Sequence, residues 1–259
     1  MRLDRTLRDR WSREDDAWTF TMPEGWGQGR SVFGGFTAAA AVALAHRDAG
    51  DDRRLRTVSM QLIRPTKPGP TKGRCTVVRE GANVRFVEVR LAQDDADVAA
   101  VSAVFVAPRA GSTDAPPLPA WDGPDVESLV DLPYIEGVIP EFTQHVQMRW
   151  ADGLPPFSNG KEARFRGYCR GPFGDAEGLV ALLDVWPSPS LALLSGPAPA
   201  STVSWTAHLL EVPADFERWF RFSYETVAGR DGFHTSVGAL HDADGRLVGW
   251  TEQLVAVFG

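Results

Sequence analysis

Cysteine is nearly absent: two in 259 residues, with Cys75 and Cys169 standing alone rather than in Cys-x-x-Cys pairs. A disulfide framework is thereby excluded, and a reducing, cytoplasmic setting is expected. Long apolar runs are missing too. The longest nearly apolar stretch, Phe36 to Ala45, falls well short of the about 20 residues a bilayer helix needs, so no membrane partner is expected. The opening MRLDRTLRDRWSREDD has charges where a signal peptide requires apolar residues, which argues against export. Positive charge is in deficit, with 27 Lys+Arg against 34 Asp+Glu and a net charge of -7. Such a balance gives no general attraction to nucleic acid, although a local basic pocket remains compatible with it. No Cys/His pair has ligand spacing, so neither a metal nor any other cofactor is expected. A Gly-x-Ser-x-Gly elbow and a strand-borne Gly-x-Gly-x-x-Gly are likewise missing, against a serine hydrolase or a dinucleotide fold.

What is present is ordinary globular material, 43% apolar and 24% charged, in a length that suggests about two units at ~150 residues each. Between Pro108 and Glu141 lie seven of the 19 prolines and seven carboxylates, with little apolar periodicity. That stretch reads as a connector, with a short helix expected near Asp125 to Asp131. The expected organisation is a first unit over 1–108, a linker over 109–142 and a second unit over 143–259.

The two units resemble each other. Thr57-Val58-Ser59 returns as Thr202-Val203-Ser204, and Val104-Phe105 closes the first as Val257-Phe258 closes the second. In the first unit strands are predicted over Arg74–Glu80, Asn83–Leu91 and Val98–Ala107; in the second over Trp219–Val227, Gly232–His241 and Arg246–Phe258. Period-2 alternation carries these assignments, as in Val87, Val89 and Leu91 against Glu88 and Arg90. Each unit also has one helix ahead of its strands. Gly34-Gly35-Phe36-Thr37 opens an alanine-rich helix ending near Gly50, small enough to be enclosed by a curved sheet. Gly178-Leu-Val-Ala-Leu-Leu leads a second helix to Asp184, with Pro187 and Pro189 stopping it. The fold class is α+β, each unit an antiparallel sheet wrapped around a central helix.

Val32-Phe33-Gly34-Gly35 before the first helix, and Val58-Ser59-Met60-Gln61-Leu62-Ile63-Arg64-Pro65 after it, resemble the acyl-CoA thioesterase II-like family. The hairpin from Val77 through Gly81 to Phe86 fits the same template, and the resemblance covers about residues 18–108 and 143–258. It implies a tandem (double) hotdog, an acyl-CoA substrate, a thioester hydrolase activity and a homo-oligomer.

Comparison of the units against each other points to a site. If Gly35 matches Gly178, Asp184 stands where the first unit has Ala41; if Phe105 matches Phe258, Gln253 stands where it has Ala100; Thr202 matches Thr57. A carboxylate towards a helix C-terminus opposes the macrodipole by about 0.3–1 kcal/mol, and it follows an apolar run. Both effects raise its pKa, which suits a general base near neutrality. Taken alone, Asp184 reads equally as a solvated residue closing a helix. The resemblance implies more: an Asp, a Thr and a Gln of the second hotdog hold one water, and Asp184, Thr202 and Gln253 occupy those places. Oxyanion donors are expected at a glycine-opened helix start, either Gly34-Gly35 or Gly178, while tight helix packing, which glycine also permits, is the competing reading and the one expected for at least one of them. Arg64, with Lys67, Lys72 and Arg74, reads as a contact for coenzyme A phosphates or as a solvated loop.

The sequence departs from the family where Asp-His commonly follows the Thr; here it reads Ser204-Trp205, with His208 as a partial substitute. That departure keeps a non-catalytic acyl-CoA or acyl-chain binding protein as an alternative. A hotdog enoyl-CoA hydratase or dehydratase is the other, disfavoured because no His occurs in the 23 residues after Asp184.

Overall fold

The computed structural model describes residues 1–14, 17–111 and 114–258; residues 15, 16, 112, 113 and 259 lie outside it, two of them within the expected linker. The first half contains β1 (Ser12–Glu14), β2 (Ala17–Met22), β3 (Gly27–Gln28), β4 (Ser31–Val32), α1 (Gly34–Ala49), β5 (Arg54–Leu62), β6 (Gly69–Glu80), β7 (Val84–Gln93) and β8 (Ala96–Val106). The second contains β9 (Gln147–Gly153), β10 (Arg164–Arg170), α2 (Asp175–Leu182), β11 (Ala200–Leu209), β12 (Phe220–Arg230), β13 (Phe233–His241) and β14 (Leu247–Val257). The predicted strands fall within a few residues of these bounds, because half-buried strands advertise themselves by alternation.

Twelve strands form one sheet in the order β1-β2-β6-β7-β8-β5-β11-β14-β13-β12-β10-β9. Its middle is the antiparallel pair β5–β11, where Ser59 Oγ and Thr206 Oγ1 meet at 3.1 Å. Each half curls around its own helix. Every residue of α1 from Gly34 to His46 is buried, and the alanines keep it thin enough for the sheet to close round it. The Trp11 indole plugs one side by donating to the Ala40 carbonyl at 2.9 Å. No helix among the described residues is long and apolar enough to cross a membrane.

The connector lies on the second half. Trp121 packs with Tyr168 and Trp219, the Tyr168 hydroxyl donates to the Pro124 carbonyl at 2.8 Å, and Arg149 binds both Asp131 and Glu127. The helix expected near 125–131 is a single 3₁₀ turn, Val126–Ser128, started by the Asp125 side chain.

Strand pairing corrects the internal repeat. On β5 a bulge separates Leu55, opposite Phe105, from Thr57, opposite Val104. On β11 the corresponding bulge separates Thr202, opposite Val255, from Ser204, opposite Leu254. Matching the bulges equates Thr202 with Leu55, not Thr57, and Gln253 with Ala103, not Ala100. Exposure agrees: Phe105 is 0% exposed whereas Phe258, its sequence counterpart, is 64% exposed. A bulge adds one residue and flips every side chain beyond it, so similar tripeptides on the two strands do not face the same way.

Candidate active site

The bulge at Val203 has a local consequence. Trp205, Ala207 and Leu209 point into the core of β11, and simple alternation would send Val203 inward with them. The extra residue leaves Val203 exposed and turns Thr202 to the inner face instead. There the Thr202 hydroxyl donates to Gln253 Oε1 at 3.3 Å. Gln253, 4% exposed on β14, spends an amide N–H on Asp184 Oδ1 at 2.5 Å. Asp184, Thr202 and Gln253 are therefore one connected group.

Asp184 itself is not on a helix. α2 ends at Leu182, its last turn tightens so that the Asp184 N–H reaches the Ala181 carbonyl at 3.0 Å, and the side chain leaves just beyond. It projects at the start of α1 in the other half. The residue preceding α1, Phe33, offers no side-chain cap, and Thr37 is the first whose N–H reaches a helix-type acceptor, the Phe33 carbonyl. The Asp184 carboxyl stands against that uncapped turn: a Cβ on Gly34 would lie 2.8 Å from its Oδ2, and Leu62 Cδ1 closes the other side at 3.6 Å. Glycine at 34 is thus what admits the carboxylate.

Burial pushes the Asp184 carboxyl up to about 7, against the opposing pull of the Gln253 amide and then the Gly35 backbone N–H. The C-terminal end of α2 acts in the same direction as burial, whereas the N-terminus of α1 favours the anion. Desolvation outweighs it.

The other expected residues fall elsewhere. Gly178 spends its N–H on the Gly174 carbonyl at 2.9 Å, and a Cβ at this position would press on the Leu3 carbonyl and on Phe173. Its glycine serves tight packing. Arg64 is exposed, with Nη1 donating to the Asp97 carbonyl at 2.7 Å in a surface groove apart from Asp184. His208 alternates with the inward Ala207 and Leu209 and meets Thr57 Oγ1 at 3.1 Å on the outer side of the sheet. It cannot substitute for a missing His.

One residue escaped the sequence reading. Tyr224 continues the inward series Phe220, Phe222 on β12, is 3% exposed, and lies over Gly238, whose missing side chain leaves room for its ring. Its hydroxyl finds no partner among the described residues. Burial, then the charge of Asp184, raise it well above the usual phenol range. The alternation was legible; that this inward tyrosine neighbours Asp184 depends on strand order.

Residues 22–106 match the acyl-CoA thioesterase N-terminal domain, and residues 110–257 the acyl-CoA thioesterase C-terminal domain. Among solved structures, a protein of unknown function with a hot dog fold from Alicyclobacillus acidocaldarius aligns over 98% of both chains at 20% identity with a TM-score of 0.86. The tesB protein of Mycobacterium avium subsp. paratuberculosis aligns at 16% identity and a TM-score of 0.78, covering 98% of this chain and 99% of its own. Acyl-CoA thioesterase II TesB2 of Mycobacterium marinum aligns at 14% identity and 0.77, covering 98% of each. At such identities these likenesses speak for the fold, a double hotdog. No curated protein matches.

Proposed function

The chain belongs to the acyl-CoA thioesterase family, and on that premise we propose that it hydrolyses acyl-CoA thioesters with Asp184 as general base. The observation that carries the reading is the junction itself: a carboxyl raised to about 7, held by Gln253 at 2.5 Å, against the open start of α1. Gln253 is oriented at both ends, its carbonyl by Thr202 and one N–H by Asp184. Its second N–H and the lone pairs of Thr202 remain to hold a water. Asp184 takes a proton from that water as its oxygen bonds to the thioester carbon. The C–S bond then breaks, and the departing thiolate recovers the proton from Asp184. A thiol, with a pKa near 8.5, leaves readily without a strong acid. The oxyanion is served by first-turn N–H groups of α1 at Gly34-Gly35, with the Tyr224 hydroxyl as a further donor. Neither demands a metal or other cofactor.

The test is thiol release from short- to long-chain acyl-CoAs. We expect turnover that rises with pH through about 7 and levels above it, since Asp184 must be ionised. Absence of thiol release across the panel would overturn the reading. It would favour the second one, an acyl binder, which the missing Asp-His after Thr202 supports; that protein would be thermally stabilised by acyl-CoA without turnover. The outer-face position of His208 argues against a dehydratase, which needs an acid/base partner beside Asp184. The two edge strands β1 and β9 support association into a homo-oligomer, to be read by light scattering.

A further inference from the structure

Aligned by their bulges, the two halves remain congruent beyond Thr202 and Gln253. On the second half's inner face Gln253 stands opposite Ser236 on β13, and Ser236 opposite Thr226 on β12. The first half has Ala103, Val87 and Val77 along the same row. In the next row, Phe105, Arg85 and Glu80 of the first half correspond to Val255, His234 and Gly229. The polar group around Asp184 therefore continues across two more strands. Ser236 is fully buried, and its Oγ meets Thr226 Oγ1 at 2.9 Å.

The ends of the two halves are finished differently. In the first, Arg85 seals the sheet against α1: its guanidinium donates to the Ala49 carbonyl at 2.6 Å, to Asp52 at 2.7 Å and to Glu80 at 2.8 Å. The second half lacks this plug at the matching positions. Gly229 replaces Glu80, and a Cβ there would lie 2.9 Å from His234 Nδ1, a buried nitrogen with no hydrogen-bond partner among the described residues. α2 has 8 residues against 16 in α1, and the 3₁₀ turn Pro189–Leu193, rather than a helix end, packs on β12 and β13. A pocket of about 260 Å³ results, lined by Thr226, Gly229, His234, Lys161, Ala163 and Leu193, among others. No carboxylate is among its lining residues.

We propose that this pocket receives the far end of the acyl group and that the preferred substrate carries a carboxylate there: a dicarboxylic acid joined to coenzyme A at one end. The proposal rests on the thioesterase reading. Thr226 lines the pocket, and Ser236 alone stands between it and Gln253 along the row. The acyl chain thus crosses two strand spacings, ~10 Å. An alkyl end gains nothing from this row that the apolar first half would not offer. A carboxylate gains charge-assisted hydrogen bonds from Lys161 Nζ and from an N–H at the unpartnered His234 nitrogen. The pocket is smaller than the ~300–1,000 Å³ of a whole-ligand site, as suits one end of a chain.

Thiol release from suberyl-CoA is compared with that from octanoyl-CoA, which matches it in length and lacks only the terminal carboxylate. The wild type is expected to favour suberyl-CoA in kcat/KM by about tenfold or more, and the preference should shrink with salt. Lys161→Ala, at an exposed position, and Gly229→Glu, which restores the first half's carboxylate, should each abolish the preference through KM. Because the preference is a ratio, it does not depend on how much of a variant folds. Equal or lower kcat/KM for suberyl-CoA in the wild type, or an unchanged preference in either variant, overturns the proposal and leaves the thioesterase reading standing. No thiol from any acyl-CoA removes the thioesterase reading itself. Calorimetry with free suberate then decides the pocket, which stands if the wild type binds and Lys161→Ala does not, and falls otherwise.

Discussion

The two halves bury the same kind of helix against the same kind of sheet, but their inner faces differ at equivalent points. Where the first half has Leu55 and Ala103, both within 3% of full burial, the second has Thr202 and Gln253. The first half is an apolar wall at these points. The second carries a polar group that would be unfavourable in a core unless its members satisfied one another. They do, through the chain Thr202–Gln253–Asp184. The halves also divide the site differently from a simple loss on one side. The second supplies the side chains, and the first supplies the bare helix start that faces them. Neither half alone holds the arrangement.

That division can be attacked one contribution at a time. Asp184→Asn, which removes the base and little volume, should lower kcat by about 10³-fold; thiol release measures it. The same variant should melt higher than wild type above pH 7. The raised folded-state pKa means that the folded protein holds this proton more tightly than the unfolded chain. Its contribution to stability is complete below the ordinary Asp range and is lost as pH rises to about 7. Melting curves at pH 5 and pH 8 should show the larger gain at pH 8.

Gln253→Ala makes the second half like the first at its equivalent, Ala103. We expect a fall of about 10²-fold, and the pH profile should move to higher pH because the amide that holds the Asp184 pKa down is gone. Gly34→Ala attacks the first half's share. A methyl 2.8 Å from Asp184 Oδ2 must displace the carboxyl, lowering kcat by about tenfold or more. The alanine's better helix propensity, up to ~1 kcal/mol in a helix interior, should meanwhile limit any loss of thermal stability. That split between activity and stability distinguishes a misplaced base from a damaged fold. Thr202→Val, which approximates the apolar Leu55 of the first half, should have the smallest effect, several-fold on kcat, since one hydrogen bond orienting Gln253 is lost.

Much of the architecture was legible. The paired halves, the enclosed alanine helix from Gly34 and strands such as Val84–Gln93 follow from alternation and small residues, which are local properties. Register was not. Thr57 and Thr202 look alike in sequence, and the bulges at Arg56 and Val203 set them on opposite faces. A bulge has no strong sequence mark, since it answers to sheet curvature. Gly178 read either as a helix-opening donor or as a packing residue because glycine serves open turns and tight packing equally, and only its neighbours, Phe173 and Leu3, reveal which.

By itself the chain's sequence determined the periods: where strands alternate, where a helix is thin enough to be enclosed, and that one copy carries Asp, Thr and Gln. Those are consequences of side-chain size and polarity along a line. Tertiary structure alone decided that Asp184 leaves the end of α2 to meet the start of α1 and that Thr202 turns inward. It also set Tyr224 within reach of the same charge. Each depends on segments dozens of residues apart sharing one buried space, where desolvation rather than local sequence sets the energy of a charge.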